Sequence, residues 1–146
     1  VIMAGATRSL IINVTPEQFY SVVMDFDAYP SFCNDVDAIK VLSNEDGRAR
    51  VRFTIKVIKS IEYTLDLVGV TNQSLKWSLH QSKWFKHNNG GWDIKDLGDG
   101  RIEATYGVEV GLGVFVPKAI TKRLVELTFP AMLNQFKKRA EQLFPT

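Results

Sequence analysis

The sequence predicts an α+β domain: a curled antiparallel sheet of about six to seven strands wrapped around one long C-terminal helix, with two short helices after the first strand. Three observations predict it. Over residues 50–110, apolar and polar positions alternate with a period of two, in stretches separated by turn sequences. From Pro117 onward the spacing of apolar residues changes to three and four, through about Leu143. Ahead of both lies a helix-start signal at Thr15-Pro16-Glu17-Gln18 and a second helical turn before residue 35.

Residues 8–14 read as the first strand. Thr15 suits a helix cap, and Pro16 suits the first turn, where its missing N–H costs nothing. Gln18 stands at the reciprocal position of a capping box. The helix is expected to reach about Met24, with Phe19, Val22 and Val23 on one side. A second helical turn within residues 25–34 is expected to be broken by Pro30. Residues 50–57, 61–67, 75–80 and 102–110 then alternate cleanly, and weaker strands are expected at 36–42 and 92–97. Between them Asn44-Glu45-Asp46-Gly47, His87-Asn88-Asn89-Gly90-Gly91 and Gly98-Asp99-Gly100 have turn chemistry, so consecutive strands should pair as hairpins.

In the last element, Ile120, Leu124, Leu127 and Ala131 form one apolar row. Val125, Phe129, Met132, Phe136, Ala140 and Leu143 form another. Such a helix is about 40 Å long. Pro130 removes one of its hydrogen bonds and meets the carbonyl of Glu126, so a kink is expected.

At 146 residues the chain has the length of one domain, residues 1–146. A hydrophobic fraction of 45% and a charged fraction of 23% exclude disorder and fibrous classes. No apolar run approaches the ~18 residues of a membrane span, and residues 1–7, apolar but without a preceding basic region, make a poor signal peptide. Cys33 is the only cysteine, which excludes an intrachain disulfide and points to a cytoplasmic setting. With only His80 and His87 beside it, no metal site is expected. A net charge of +2 does not argue for nucleic acid, and no DNA partner is expected.

Six strands at 4.8 Å spacing span about 29 Å, whereas one helix covers about 10 Å. The sheet must therefore curl around the helix, leaving either a filled core or an apolar pocket. The lining of such a pocket would draw on Phe53, Ile55, Tyr63, Leu65, Trp77 and Leu79. Trp92, Tyr106 and Val108 complete the strand contribution, with Phe85 from the loop and Leu124, Leu127 and Ala131 from the helix. A Tyr or Trp inside needs a partner for its O–H or N–H, either a ligand oxygen or the backbone.

This order of elements resembles the helix-grip fold of the START-like, or SRPBCC, superfamily. One segment carrying the resemblance is residues 19–32, a helix beginning at Phe19 and followed by the Tyr-Pro-x-Phe turn Tyr29-Pro30-Ser31-Phe32. The other comprises Trp84-Phe85-Lys86, Trp92, an alternating strand, and a terminal helix holding Phe136, Arg139, Ala140 and Leu143. Within the superfamily the chain looks most like the coenzyme Q-binding and polyketide cyclase/dehydrase branch. In the coenzyme Q-binding proteins the turn continues into Pro-Trp-Cys, whereas here Cys33-Asn34-Asp35 follows. The resemblance implies a carrier for a lipid, isoprenoid quinone or polyketide-like molecule, held between sheet and helix without a cofactor. Two alternatives stay open: a polyketide cyclase or dehydratase, and a module that contacts ribosomes or membranes, since a toxin-like branch binds ribosomal subunits.

Other candidates have plainer readings beside them. The loop at residues 82–91, with Trp84 and Phe85 among Lys83, Lys86 and His87, is either a membrane-touching lid or a plug folded inward. Asp25, Asp27, Asp35 and Asp37 are an acid/base cluster or, more simply, turn residues. No nucleophile motif accompanies the Ser, His and Asp residues, and no catalytic residue is assigned. Gly111-Leu112-Gly113 is not a phosphate loop. Lys118, Lys122, Arg123, Lys137, Lys138 and Arg139 form a solvated face or a contact for an anionic surface.

Overall fold

A computed structural model of the protein describes residues 3–146. Its sheet has seven antiparallel strands in the order β1-β7-β6-β5-β4-β3-β2. In sequence these are β1 (Met3–Ile12), β2 (Val36–Glu45), β3 (Arg48–Val57), β4 (Lys59–Val70), β5 (Ser74–Ser82), β6 (Phe85–Asp96) and β7 (Ile102–Leu112). The alternation in β3 and β4 sends Val51, Phe53, Ile55, Tyr63, Leu65 and Leu67 to one buried face. On the other face, Arg50 bonds Asp66 across the strands at 2.7 Å. Register shifts in β2, between β4 and β5, and at the start of β6 add local twist, which curls the sheet.

The strand β6 departs from the expectation. His87 to Gly91 lie inside it, paired with β7, and the reversal occurs earlier, at Lys83 and Trp84. The Ser82 hydroxyl accepts the N–H groups of both Trp84 and Phe85 at 3.1 Å, which closes that turn. Gly90 serves proximity there. A Cβ at that position would fall 2.4 Å from the Gly107 carbonyl oxygen and 2.7 Å from the Trp77 ring. The pairing of β5 with β6 covers only Ser74 to Trp77, so the two strands run beyond it without a shared ladder.

Helix α1 (Pro16–Val23) carries the expected capping box, with the Gln18 N–H donating to Thr15 Oγ1 at 3.2 Å and the Thr15 N–H to Gln18 Oε1 at 2.9 Å. Replacing Thr15 by alanine is expected to lower stability by about 1 kcal/mol, read as a shift of the urea midpoint. A 3-10 turn (Phe26–Ala28) leads into α2 (Tyr29–Phe32). Pro30 does not break this segment. It sits in the first turn of α2, where no intrahelical N–H is needed.

The C-terminal helix comprises α3 (Lys118–Arg123), a π turn (Leu124–Thr128) and α4 (Phe129–Leu143). Where a kink was expected, the Phe129 N–H reaches back to the Leu124 carbonyl in a wider turn just before Pro130. The wider turn rotates the helix face, so Thr128 is buried and Leu127 is 59% exposed. That corrects the expectation that Leu127 faces inward. Phe136 holds α4 against the sheet, 5.3 Å from Trp92 and 5.1 Å from each of Tyr29 and Phe32. Among the described residues, no helix is long and apolar enough to cross a membrane.

The two ends of the sheet differ in chemistry. One end holds the β3–β4 reversal at Ile58, the β5–β6 turn and the link from β7 to α3. The other end holds the turns at Glu45-Asp46, at residues 71–73 and at Asp96 to Gly100.

Candidate functional site: an aromatic cavity between sheet and helix

Between the concave face of the sheet and α4 lies an apolar cavity of about 40 Å³. Seven of the residues anticipated for the lining meet there: Phe53, Tyr63, Leu65, Trp77, Trp92, Tyr106 and Val108. Ile55, Phe85 and Leu124 are buried elsewhere in the core, Leu79 and Ala131 are half-buried outside the lining, and Leu127 faces solvent. Sequence reasoning left out Tyr29, Leu67, Leu75, Asn88, Phe129, Met132 and Phe136. Leu67 and Leu75 continue the inward alternation already visible in β4 and β5. Phe129, Met132 and Phe136 lie on the second apolar row of the helix, which the π turn brings inward.

A cavity of this size holds roughly three water molecules. It falls well short of the ~300 Å³ of the smallest common ligand pockets. Side chains must therefore move for anything larger to enter. Met132, unbranched and adaptable, is the lining side chain on α4 best suited to yield.

The polar groups of the lining are few and uncharged. Tyr29 donates its hydroxyl to the Val23 carbonyl, so its role is structural. The Tyr63 and Tyr106 hydroxyls make no protein hydrogen bond among the described residues but are not sealed off, and burial of the side chains pushes both phenols well above their ordinary range. Each therefore stays protonated and able to donate. Asn88 is buried, and its Oδ1 accepts the Trp77 indole N–H at 3.2 Å, which leaves the amide hydrogens as its remaining capacity. Nearby, burial, with a smaller contribution from Asp35, pushes the Cys33 thiol up to about 12, so it too remains neutral. The arrangement offers hydrogen-bond donors in an apolar surround, which favours a neutral ligand with an acceptor oxygen.

Trp77 is half-buried and lines the cavity at the point where β5–β6 pairing stops. There the indole is held by its bond to Asn88.

The remaining candidates lie away from the cavity. Asp25, Asp27 and Asp37 are exposed and Asp35 is half-buried, all outside the lining. His80 sits 3.6 Å from Asp66, and His87 Nε2 lies 3.2 Å from Glu109. Phe85 is buried against Tyr63, with ring centroids 5.0 Å apart, and Trp84 is half-buried beneath the Lys59 ammonium at 4.0 Å. The loop is therefore neither an exposed aromatic lid nor a cavity plug. Lys137 donates to the Ile11 carbonyl at 2.8 Å, and Arg139 lies over the Phe32 ring, so that part of the basic helix face is tied to the fold. Among the described residues no group of three or more His, Cys, Asp or Glu side chains gathers in metal-binding geometry.

The model of the family described as polyketide cyclase / dehydrase and lipid transport matches residues 12–137. Over 145 residues the chain is 22% identical to the ribosome association toxin RatA of Escherichia coli strain K12, covering 99% of this chain and 86% of that protein. The aromatase/cyclase Zhui from Streptomyces sp. R1128 superposes with a TM-score of 0.87 at 15% identity, covering 97% of this chain and 95% of that one. A START superfamily protein from Mycobacterium smegmatis superposes with a TM-score of 0.83 at 21% identity, covering 95% and 98%.

Proposed function

The chain belongs to the polyketide cyclase/dehydrase and lipid transport family, and from that membership we propose that it binds a hydrophobic small molecule bearing a ketone- or quinone-like oxygen between its sheet and its C-terminal helix. One observation carries this reading. Tyr63 and Tyr106 line the apolar cavity, stay protonated, and make no hydrogen bond to protein among the described residues. A ligand oxygen would give each hydroxyl a partner within the apolar surround. The carrier role is favoured over turnover by the lining itself. Its polar members are phenols, an amide and an indole, with no carboxylate or imidazole to pass a proton near neutral pH.

The ligand displaces side chains to enter. Its apolar body lies among the lining side chains Phe53, Phe129 and Met132, while its oxygen meets the two phenols. The half-buried Trp77, where the β5–β6 ladder ends, is the natural point of entry.

Native mass spectrometry of protein purified from cells, followed by organic extraction, tests the proposal. The expected result is an added mass of lipid, quinone or polyketide size that disappears in a folded Tyr106→Asp variant. Protein that carries nothing from cells and takes up neither a short-chain quinone nor an aromatic polyketide in titration would overturn it.

A further inference from the structure

We propose that the end of the sheet carrying Ile58, Val114 and Phe115 docks on an anionic lipid bilayer. The most exposed large apolar side chains gather there. Phe115 is 96% exposed, Val114 79% and Ile58 65%. The link holding Val114 and Phe115 is fastened to the β5–β6 turn, because the Gly113 N–H donates to the Trp84 carbonyl at 3.1 Å. Trp84 in turn lies under Lys59, beside the Ile58 reversal. Three connections that are distant in sequence thus form one surface.

Ile58 has a φ of 69°, in the left-handed region where glycine or asparagine is at ease and a β-branched residue is strained. Neither folding nor solubility favours an isoleucine at such a position. Insertion into an apolar phase does.

Charge identifies that phase. Lys56, Lys59, Lys83, Lys86, Lys118 and Lys122 are all exposed at this end, outnumbering the acids among them, Asp35, Glu62, Glu109 and Glu126. The acidic turns of Glu45, Asp46, Asp96 and Asp99 lie at the opposite end. Beside Val114 runs an apolar groove lined by Ala4, Leu112, Val116 and Val125, with Lys118 and Lys122 on its rim. Bare aliphatic and aromatic tips within a ring of lysines match a bilayer, whose acyl region receives the tips and whose anionic headgroups receive the ammonium groups. A nucleic-acid surface would use the lysines but gain nothing from Ile58, Val114 and Phe115. The proposal does not depend on what the cavity holds.

Co-sedimentation of the full chain with vesicles tests it. Vesicles of equal parts phosphatidylglycerol and phosphatidylcholine are expected to pellet the protein, and added salt is expected to weaken the association. Phe115→Asp should lower partitioning by about tenfold or more. Lys118→Glu with Lys122→Glu should remove the preference over pure phosphatidylcholine. Because Phe115 is almost wholly in solvent, its variant should keep the wild-type circular dichroism and the same uptake of any cavity ligand. Equal partitioning of wild type and Phe115→Asp would overturn the proposal. So would absence from anionic vesicles combined with salt-sensitive pelleting on ribosomes that Phe115→Asp leaves unchanged.

Discussion

Replacing Trp92 by alanine should cost about 3–5 kcal/mol of folding free energy, the largest effect expected of any single truncation in this chain. Trp92 is the largest of the fully buried side chains. Its ring lies 5.1 Å from Phe19 on α1, 5.0 Å from Tyr106 on β7 and 5.3 Å from Phe136 on α4, so one indole joins the first helix, the sheet and the last helix. Ordinary domains have about 5–15 kcal/mol in hand, so the variant should be marginal at body temperature. Urea unfolding is the measurement, with the midpoint falling sharply. A midpoint within a few tenths molar of wild type would mean that α4 is held mainly elsewhere.

The second large effect separates binding from stability. In a protein with both Tyr63→Phe and Tyr106→Phe, ligand affinity should fall by about ten- to a hundredfold, from the loss of two buried donors. Folding stability should stay near that of the wild type, because neither hydroxyl makes a protein hydrogen bond for the change to remove. Tyr29→Phe is the contrast. It breaks the bond to the Val23 carbonyl and should destabilise the fold. Ligand titration and urea unfolding on the same three proteins give both readings. If the double variant loses stability with affinity unchanged, the two phenols are structural and the cavity proposal fails.

The curled sheet and the pairing of consecutive strands were legible because alternation in β3, β4 and β7 is nearly free of exceptions and turn sequences separate the strands, whereas the pairing of β1 with β7 has no local signal. The errors fall where one element's geometry depends on another. His87 to Gly91 look like a turn when read alone, yet Gly90 is small because Gly107 and Trp77 crowd it from the neighbouring strands. Nothing local in the sequence announces that crowding. The helix was read at a constant pitch, so Leu127 and Ala131 were expected on the inner face. One π turn ahead of Pro130 changes the phase and places Phe129, Met132 and Phe136 there instead. For the site, the aromatic residues on strands were visible from alternation, whereas Asn88 was hidden by the mistaken turn. The cavity's size was beyond reach, since it depends on how rings from five or more elements fit together and not on the identity of any one of them.

Six exposed lysines at one end and the acidic turns at the other spread charge unevenly along the strands, despite a net charge of only +2. The two ends are separated by the length of a strand, about 33 Å for ten residues. A charged surface therefore exerts a torque on the protein as well as a pull. At physiological salt that torque acts only within the last ~8 Å of approach. Free protein tumbles at random until then, and the lysine end leads as contact begins.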